Sequence, residues 1–331
     1  MLYIIHPKAR RASKIKVFEA GVYNIVYFFQ KTNGSQNKPE RRVHDPIFGA
    51  VNLLPTDEQK NLNYRVFFPE DSPKTELNIN ALKLSEICYI SVGMVANANE
   101  KLANGLFGLK DLLSDIKSEI HSKPFVEGKN LKKWILIQNK YIEWGTSRSP
   151  SLLRRPTFPE LYEQDSKLML PMVGEIRAAL DMEGLYCNHG IFVAILWCNL
   201  KGINNKSISK SADYGYKRSK SSDLPIREKL EENSSRFSEK YLLGIINSSV
   251  SRNFLKQNRR NNVQLYPDDW KNLPIPDVST NQQQPIVELV DKILDAKGQN
   301  VKQWEQEIDA IVARLYGLSE DEMKIIRGEQ S

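Results

Sequence analysis

The C-terminal part of the chain has the clearest periodic pattern of apolar positions. In "PIVELVDKILDAK" and "VKQWEQEIDAIVARLYG" apolar residues recur every three or four positions, which places them along one face of an α-helix. Gly317 follows the second stretch, where a left-handed residue commonly ends a helix. Ser319 and Glu322 form a capping-box pattern for one more helix. The pattern therefore predicts a helical hairpin followed by a short third helix.

The middle of the chain alternates between strand-like and helix-like patterns. "EICYISVGMVA" (Glu86–Ala96) and "KLMLPMVG" are short apolar runs typical of strands. "IRAALDMEGLYCNHGIFVAILW" predicts further strands around a turn at Glu183–Gly184. Helical spacing is present in "LFGLKDLLSDIKSEI" and in "SEKYLLGIINSSVSRNFLKQ", and we expect each of these stretches to form a helix.

Two stretches interrupt these patterns. From Lys201 to Leu230 large aliphatic residues are almost absent and Ser, Asn, Gly and basic residues dominate, so we expect a mobile loop there. "YPDDWKNLPIPD" (Tyr266–Asp277) contains three prolines and predicts a seam without a helix. The sequence thus predicts an α/β (α+β) fold in three parts. These are a basic segment over residues 1–60, a β-rich domain over 61–276 and an α-helical hairpin tail over 277–331.

Charge differs between these parts. The 331 residues carry a formal net charge of +7, with 40% apolar and 26% charged residues, as expected for a globular protein with a sizeable core. From Asp277 to Ser331 there are six basic and eleven acidic residues, which leaves 41 basic and 29 acidic residues in the rest of the chain. A basic body joined to an acidic tail is typical of nucleic-acid binding combined with a protein-facing module. An ordinary domain with a solvated basic surface fits the charge equally well.

The sequence has no pattern for catalysis or for a metal site. Its three cysteines are too few and too scattered for a disulfide framework or a zinc cluster. Cys187 and His189 lie two residues apart, but no second pair of ligands exists. No glycine-rich phosphate loop is present, no apolar run approaches the ~20 residues that span a bilayer, and the basic N-terminus lacks the apolar region of a secretory signal. We therefore expect no catalytic residue, no metal ion, no membrane partner and a cytoplasmic location.

Clusters of cations carry the main functional signal. Some interleave with Trp134, some flank prolines that hold the backbone extended, and others lie in the predicted loop or at the end of a predicted helix. Arg suits phosphate forks and the guanine edge, while Lys acts as a point charge on phosphates. A solvated surface is the ordinary alternative for any one cluster, but several in one chain favour DNA binding. The candidate DNA-binding residues are Lys129, Lys132, Lys133, Arg148, Arg154, Arg155, Lys206, Lys210, Lys217, Arg218, Lys220, Arg252, Arg259 and Arg260.

An ordered set of segments resembles the TaqI-like C-terminal specificity domain of bacterial restriction–modification DNA methyltransferases. "KPFVEGKNLKKW" is similar to one motif of that family, "RRPTFPELYEQDSKLML" to the next, and "LDMEGLYCNHGIFVAI" to the strand–turn–strand after it. "YLLGIINSSVSRNFL", "YPDDWKNLPIPD" and "EIDAIVARLYGLSEDEMKII" complete the order. The resemblance covers essentially the whole chain. The glycine-rich adenosylmethionine loop and the N/D-P-P-Y/F motif of the family's catalytic domain do not occur.

The resemblance implies a specificity module that reads a short sequence in double-stranded DNA. Such a module is at most the specificity subunit of an adenine-N6 methyltransferase. A methyltransferase or nuclease subunit would supply the chemistry, and S-adenosylmethionine would bind only there. The acidic tail would dock on that partner through Trp304, Ile308, Ile311 and Leu315. The alternative for this stripe is burial within an intramolecular helical hairpin.

Two other functions remain open at this stage. The second hypothesis is a scaffold, the remnant of a truncated methyltransferase, which binds protein and not DNA. An enzyme is the third hypothesis, and it requires a site for which the sequence offers no candidate.

Overall fold

A computed structural model describes residues 79–219, 226–259 and 263–328, all of which lie within the compact unit Thr75–Ser331. The fold is mixed α and β, with several sheets and a helical C-terminal region, as the sequence predicts. The basic segment over residues 1–60 lies outside the described residues. The boundaries at 61 and 277 stay predictions.

The strands are short, and they alternate with turns and 3-10 segments before the helices begin. They are β1 (Ala81–Lys83), β2 (Cys88–Val92), β3 (Val95–Ala98), β4 (Leu113–Ser114), β5 (Lys123–Val126), β6 (Lys140–Ile142), β7 (Leu153–Arg155), β8 (Lys167–Pro171), β9 (Ala179–Asp181), β10 (Tyr186–Cys187), β11 (Ile191–Leu196) and β12 (Pro274–Pro276).

The helices are concentrated after β11. They are α1 (Leu84–Ile87), α2 (Lys206–Ser219), α3 (Arg227–Ser234), α4 (Glu239–Asn247), α5 (Ser249–Asn258), α6 (Pro267–Lys271), α7 (Thr280–Asp295), α8 (Lys302–Leu315) and α9 (Glu320–Arg327).

A central antiparallel sheet with the strand order β2-β11-β8-β9 separates two hydrophobic clusters. Every residue of β11 is buried, so the strand reads as a continuous apolar run, and its side chains alternate between the two faces. Phe192 and Ala194 belong to the cluster that includes the C-terminal helices, whereas Val193 and Ile195 belong to the cluster on the other face. The helical tail and the sheet therefore share one core.

Two contacts fix the helices on the first face of this sheet. A Cβ at Gly244 would lie 2.3 Å from Cγ2 of Ile286, so the absence of a side chain on α4 permits the close approach of α7. At the end of α4 the buried side chain of Asn247 accepts a hydrogen bond from Ala178 N at 2.8 Å and donates one to Ala178 O at 3.0 Å. This amide binds the backbone just before β9, where the Ala178 carbonyl also accepts a hydrogen bond from Trp134 N at 2.9 Å.

The second cluster is covered by the β-rich part of the chain. A sheet with the order β10-β5-β6-β4 and the antiparallel pair β3-β7 surround it, with β10 and β5 the parallel pair. Separately, β12 pairs with β1, so the proline-rich stretch closes the end of the first cluster.

The predicted helix over residues 106–120 is wrong. Leu109–Leu112 form a single 3-10 turn followed directly by β4, and Ile116 and Ile120 are exposed. Ser114 Oγ donates a hydrogen bond to Ile116 O at 2.8 Å and accepts one from Ile116 N at 3.0 Å. Such local side-chain bonds compete with the helical pattern, and here they prevail over the apolar spacing.

The predicted loop from Lys201 to Leu230 is wrong over residues 206–219, which form α2, and over residues 227–230, which belong to α3. Asn205 starts this helix, because its Oδ1 accepts hydrogen bonds from Ser207 N at 2.9 Å and Ile208 N at 3.0 Å. Ile208 is completely buried and anchors the helix on the second cluster. One capped turn and one apolar anchor hold a segment that its composition marked as unable to fold.

Two further helix predictions need correction. The stretch Ser238–Gln257 forms two helices, because Ser248 ends α4 and caps α5, with its Oγ accepting from Ser251 N at 3.2 Å. "YPDDWKNLPIPD" contains the short helix α6, since Pro267 occupies the first turn, where its missing N–H costs nothing.

The third helix of the tail follows its sequence pattern closely. Ser319 and Glu322 form the predicted capping box, with Glu322 Oε2 2.8 Å from both the backbone nitrogen and the hydroxyl of Ser319. Gly317 and Gly328 both have positive φ angles, as helix-ending glycines do.

Candidate nucleic-acid interface

Arg154 and Arg155 are consecutive residues of the short strand β7, so their side chains project to opposite faces of the strand, and both are exposed. Leu153 is buried and fixes the strand, which pairs with β3 so that Arg155 lies opposite Val95. The nearest carboxylate to Arg154 is that of Glu100, at 3.9 Å, and both side chains are largely exposed. An ion pair with that geometry contributes little, so the guanidinium group is available to another anion.

Lys206 and Lys210 lie one turn apart at the start of α2, and both are exposed. Residues four positions apart share one side of a helix, so the two ammonium groups project in the same direction. Ile208 lies between the two lysines in the sequence and packs into the second cluster. The side of the helix that carries Lys206 and Lys210 therefore faces outward.

Tyr89 joins these two cationic segments. Its hydroxyl forms a hydrogen bond of 2.8 Å with Ser207 Oγ, next to Lys206. Its ring lies 6.1 Å from the ring of Phe158, three residues beyond Arg155. Both segments are therefore anchored on one buried tyrosine. We call Arg154, Arg155, Lys206 and Lys210 the cationic surface.

The charges of the cationic surface are largely uncompensated. In the part of the chain that the structure describes, Arg155, Lys206 and Lys210 form no ion pair. Exposed Arg and Lys without carboxylate partners attract polyanions, and Arg offers a planar fork to phosphate oxygens. The arrangement therefore suits the backbone of a nucleic acid.

Arg148, another predicted DNA contact, has partners within the chain. Its guanidinium group pairs with the buried carboxylate of Glu143, with Nε 3.2 Å from Oε1, and lies 5.7 Å from the ring centroid of Phe107. Burial by itself would raise the pKa of Glu143, but hydrogen bonds from Arg148 and Thr146 prevail and hold it below its ordinary value. The structure thus places Arg148 in a stabilising pair.

We expect Arg148→Gln to lower the free energy of unfolding by about 1–3 kcal/mol, because Glu143 loses its counter-charge while the partly exposed position of Arg148 moderates the loss. The lowered pKa of Glu143 means that the pair stabilises the native state at neutral pH and that this contribution disappears as pH falls through the lowered value. The difference between the wild type and the variant in urea unfolding should therefore shrink in acid. Unchanged stability with weakened DNA binding would instead assign Arg148 to the interface.

The segment around Trp134 is fastened to the helical tail. Trp134 Nε1 donates a hydrogen bond to Glu305 Oε1 at 2.6 Å, and Lys133 Nζ lies 2.6 Å from the same oxygen. Burial lowers the pKa of Lys133, which Glu305 opposes. Lys129 pairs with Glu127 at 2.9 Å, and Lys132 is exposed. Lys133 is thus committed to an internal contact, while Lys132 faces solvent.

The remaining predicted cations are spread over α2 and α5. Lys217 and Arg218 belong to α2, Arg252 belongs to α5 and Arg259 follows its last residue. Lys220 and Arg260 lie outside the described residues. Arg252 does not join the cationic surface, because it lines a cavity with Lys256 and Arg327. The candidate residues did not include Lys256, which lies one turn beyond Arg252 on α5, or Arg327, which only the packing of α9 against α5 brings to the same space.

The apolar stripe of the tail packs within the chain. Ile308 is 1% exposed and belongs to the first cluster, and Trp304, Ile311 and Leu315 pack against that cluster while remaining partly exposed. In this conformation Ile308 has no surface to offer a partner, which agrees with the intramolecular alternative. Docking through the partly exposed residues stays a prediction.

The described residues contain no cluster of metal ligands, and two of their cysteines, Cys88 and Cys187, are buried. No three His, Cys, Asp or Glu side chains among them come together as ligands. Burial raises the pKa of the Cys88 and Cys187 thiols, so both remain protonated at neutral pH. Within the same residues, every helix is too short or too polar to span a bilayer.

Comparisons with known proteins give weak likenesses. No protein-family model and no curated protein matches the sequence. Among solved structures, the chain is similar to the type IIL restriction-modification enzyme MmeI in complex with DNA, at 11% identity and a TM-score of 0.46, over 76% of this chain and 36% of that one. A type I restriction-modification system matches at 12% identity and 0.34, over 82% and 51% of the two chains. The type IIG restriction endonuclease BpuSI matches at 12% and 0.32, over 71% and 31%.

The chain thus spans between 31% and 51% of the length of these proteins. All three come from restriction–modification systems, but no TM-score exceeds 0.46. Membership of the chain in a family stays a prediction that rests on the sequence segments quoted above.

Proposed function

We propose that the chain is a sequence-specific recognition module for double-stranded DNA in a restriction–modification or related phage-defence system, where it positions a separate methyltransferase or nuclease in the cytoplasm. The observation that carries this proposal is the cationic surface, in which Arg155, Lys206 and Lys210 are exposed without ion-pair partners among the described residues. The ordered resemblance to specificity domains supports the same class of function.

Binding would rest mainly on phosphate contacts. Each phosphate that a Lys or Arg neutralises releases counterions, so the logarithm of the binding constant falls by about 0.9 per contact for each tenfold rise in salt. Under this proposal S-adenosylmethionine binds the catalytic partner and not this chain. Reading a DNA sequence requires further side chains that contact base edges. The phosphate contacts of the cationic surface would position those side chains along the duplex.

The test compares two triple variants of equal charge in fluorescence-anisotropy titrations with a random-sequence duplex. In Arg155→Gln/Lys206→Gln/Lys210→Gln the three free cations are lost. In the control, Lys229→Gln/Lys240→Gln/Lys324→Gln, the lysines removed are already paired with Glu232, Asp291 and Asp321. We expect the first variant to bind about tenfold or more weakly and its salt slope to fall by about 2 to 3, while the control changes little.

Equal losses in both variants would mean that only net charge matters and would contradict the assignment of the cationic surface. A wild-type chain that binds no duplex at low salt, alone or with a methyltransferase partner, would sink the proposal and favour the protein-binding scaffold. Methyl transfer or cleavage by the isolated chain would show instead that it is an enzyme.

A further inference from the structure

Three C-terminal helices line a polar cavity that is partly open to solvent, on the side of the central sheet opposite the cationic surface. α5 and α9 pack on the first cluster, through Val250 and Met323, whereas α2 packs on the second through Ile208. The cavity measures about 510 Å³, within the range of about 300–1,000 Å³ that small-molecule sites occupy. The lining residues that matter below are Ser249, Arg252, Asn253, Lys256, Asp309 and Arg327.

The lining of the cavity is strongly cationic. Arg252 and Lys256 lie one turn apart on α5, and Arg327 reaches the same space from the end of α9. None of the three has an ion-pair partner among the described residues. Like charges brought together in a concave site repel one another in the absence of an anion, and low-dielectric walls focus their field on a ligand.

The carboxylate in the cavity does not neutralise these cations. Asp309 Oδ1 accepts a hydrogen bond from Ser249 N at 2.7 Å, at the first turn of α5. Asp309 thereby serves the start of the helix, and its single negative charge stands against three positive charges in the lining. A net positive charge remains for a bound ligand to compensate.

Ser249 supplies an independent indication of a ligand. The residue is 8% exposed, it lines the cavity, and its hydroxyl has no hydrogen-bond partner among the described residues. Native structures keep few buried hydroxyls without a hydrogen-bond partner. The amide of Asn253, one turn further along α5, also lines the space.

We propose that this cavity binds a small phosphate-bearing ligand, with Arg252, Lys256 and Arg327 contacting the phosphate oxygens and the Ser249 hydroxyl donating a hydrogen bond to one of them. Three cations with hydroxyl and amide donors match the charge and the several acceptor oxygens of phosphate better than those of one carboxylate. The volume accommodates a diphosphate or a mononucleotide. This site goes beyond the proposed DNA recognition, because it lies on other elements.

The test measures pyrophosphate binding by isothermal titration calorimetry at constant ionic strength. We expect saturable 1:1 binding to the wild type, with a dissociation constant below about 1 mM. Arg252→Gln, Lys256→Gln and Arg327→Gln should each weaken binding about tenfold. Lys302→Gln, which removes an exposed cation of α8 from outside the lining, should leave it unchanged.

Ser249→Ala separates a ligand contact from a structural role. Because the hydroxyl has no hydrogen-bond partner among the described residues, its removal should leave the melting temperature of the free protein unchanged or slightly raised. The same change should weaken pyrophosphate binding severalfold and reduce the rise in melting temperature that pyrophosphate gives the wild type.

Three results would overturn the proposal. The first is an absence of saturable pyrophosphate binding, and the second is binding that Lys256→Gln and Ser249→Ala leave intact. The third is a loss of duplex affinity in the cavity variants without any pyrophosphate binding, which would make these cations part of a DNA interface. Because the triple variant of Arg155, Lys206 and Lys210 tests DNA recognition separately, failure of one proposal is distinguishable from failure of the other.

Discussion

Lys167→Met is expected to lower the free energy of unfolding by about 3–5 kcal/mol, measured by urea denaturation at neutral pH. Lys167 and Asp181 are both fully buried, and the ammonium group pairs with the carboxylate and also donates to Tyr162 O at 2.5 Å. Without Lys167, the partners of Asp181 among the described residues are the backbone N–H groups of Glu183 and Leu185, at 2.9 and 2.8 Å. A buried carboxylate without its counter-charge is among the costliest defects in a core.

Two further variants make this expectation specific. Lys132→Met, at an exposed position, should change stability by less than about 0.5 kcal/mol. Lys167→Met/Asp181→Asn removes both charges and keeps an acceptor for the two N–H groups, so it should recover at least about 1 kcal/mol of the loss. A loss below about 1 kcal/mol in Lys167→Met, or no recovery in the double variant, would contradict an uncompensated charge as the cause.

This ion pair also revises the interpretation of the "RRPTFPELYEQDSKLML" segment. The lysine of this segment, Lys167, contacts both the carbonyl of Tyr162 and the carboxylate of Asp181. These contacts fix the chain that follows Arg155. The segment therefore combines exposed cations at its start with a buried cation at its end. We expect duplex binding to weaken in Lys167→Met together with stability, and not ahead of it.

The elements that sequence patterns predicted correctly depend on local rules. The capping box at Ser319, the glycines at 317 and 328 and the apolar stripes of α7 and α8 each need only residues within one or two turns. β11 was predicted from its continuous apolar run, and both its faces are buried. Mixed α and β structure followed from these elements.

The wrong predictions have nonlocal or side-chain causes. The stretch over residues 106–120 has helical spacing, but its serines bind their own backbone and two of its isoleucines lie in solvent. Conversely, the sequence of α2 has few large apolar residues, and the helix is held by Asn205 at its first turn and by the burial of Ile208. The pattern of apolar and polar positions records neither a side chain that bonds to its own backbone nor the burial of a single anchoring residue.

The candidate site was only partly accessible to sequence reasoning. The sequence shows which residues are cations but not where their carboxylate partners lie. Arg148 is paired with Glu143 five positions away, while Lys133 meets Glu305 from a distant helix. Arg155 and Lys206 have no such partner among the described residues, and Tyr89, which anchors both segments, carried no signal in the sequence. Free and committed cations are distinguished only in the folded chain.

Ile308→Ala should lower the free energy of unfolding by about 2–4 kcal/mol, because this side chain fills the cluster that α7, α8 and the central sheet share. Ile325→Ala on α9 is the matched control, since the same atoms are removed from a side chain that is 71% exposed, and it should change stability by less than about 0.5 kcal/mol. Urea denaturation of both variants decides between the two roles of the apolar stripe.

If Ile308→Ala is as stable as Ile325→Ala, the stripe is not part of the core. A fully stable Ile308→Ala that loses binding to a catalytic subunit would establish the stripe as a docking surface. A large loss of stability means that partner docking, where it occurs, must use the exposed remainder of the acidic tail, since the buried stripe already packs within the first cluster.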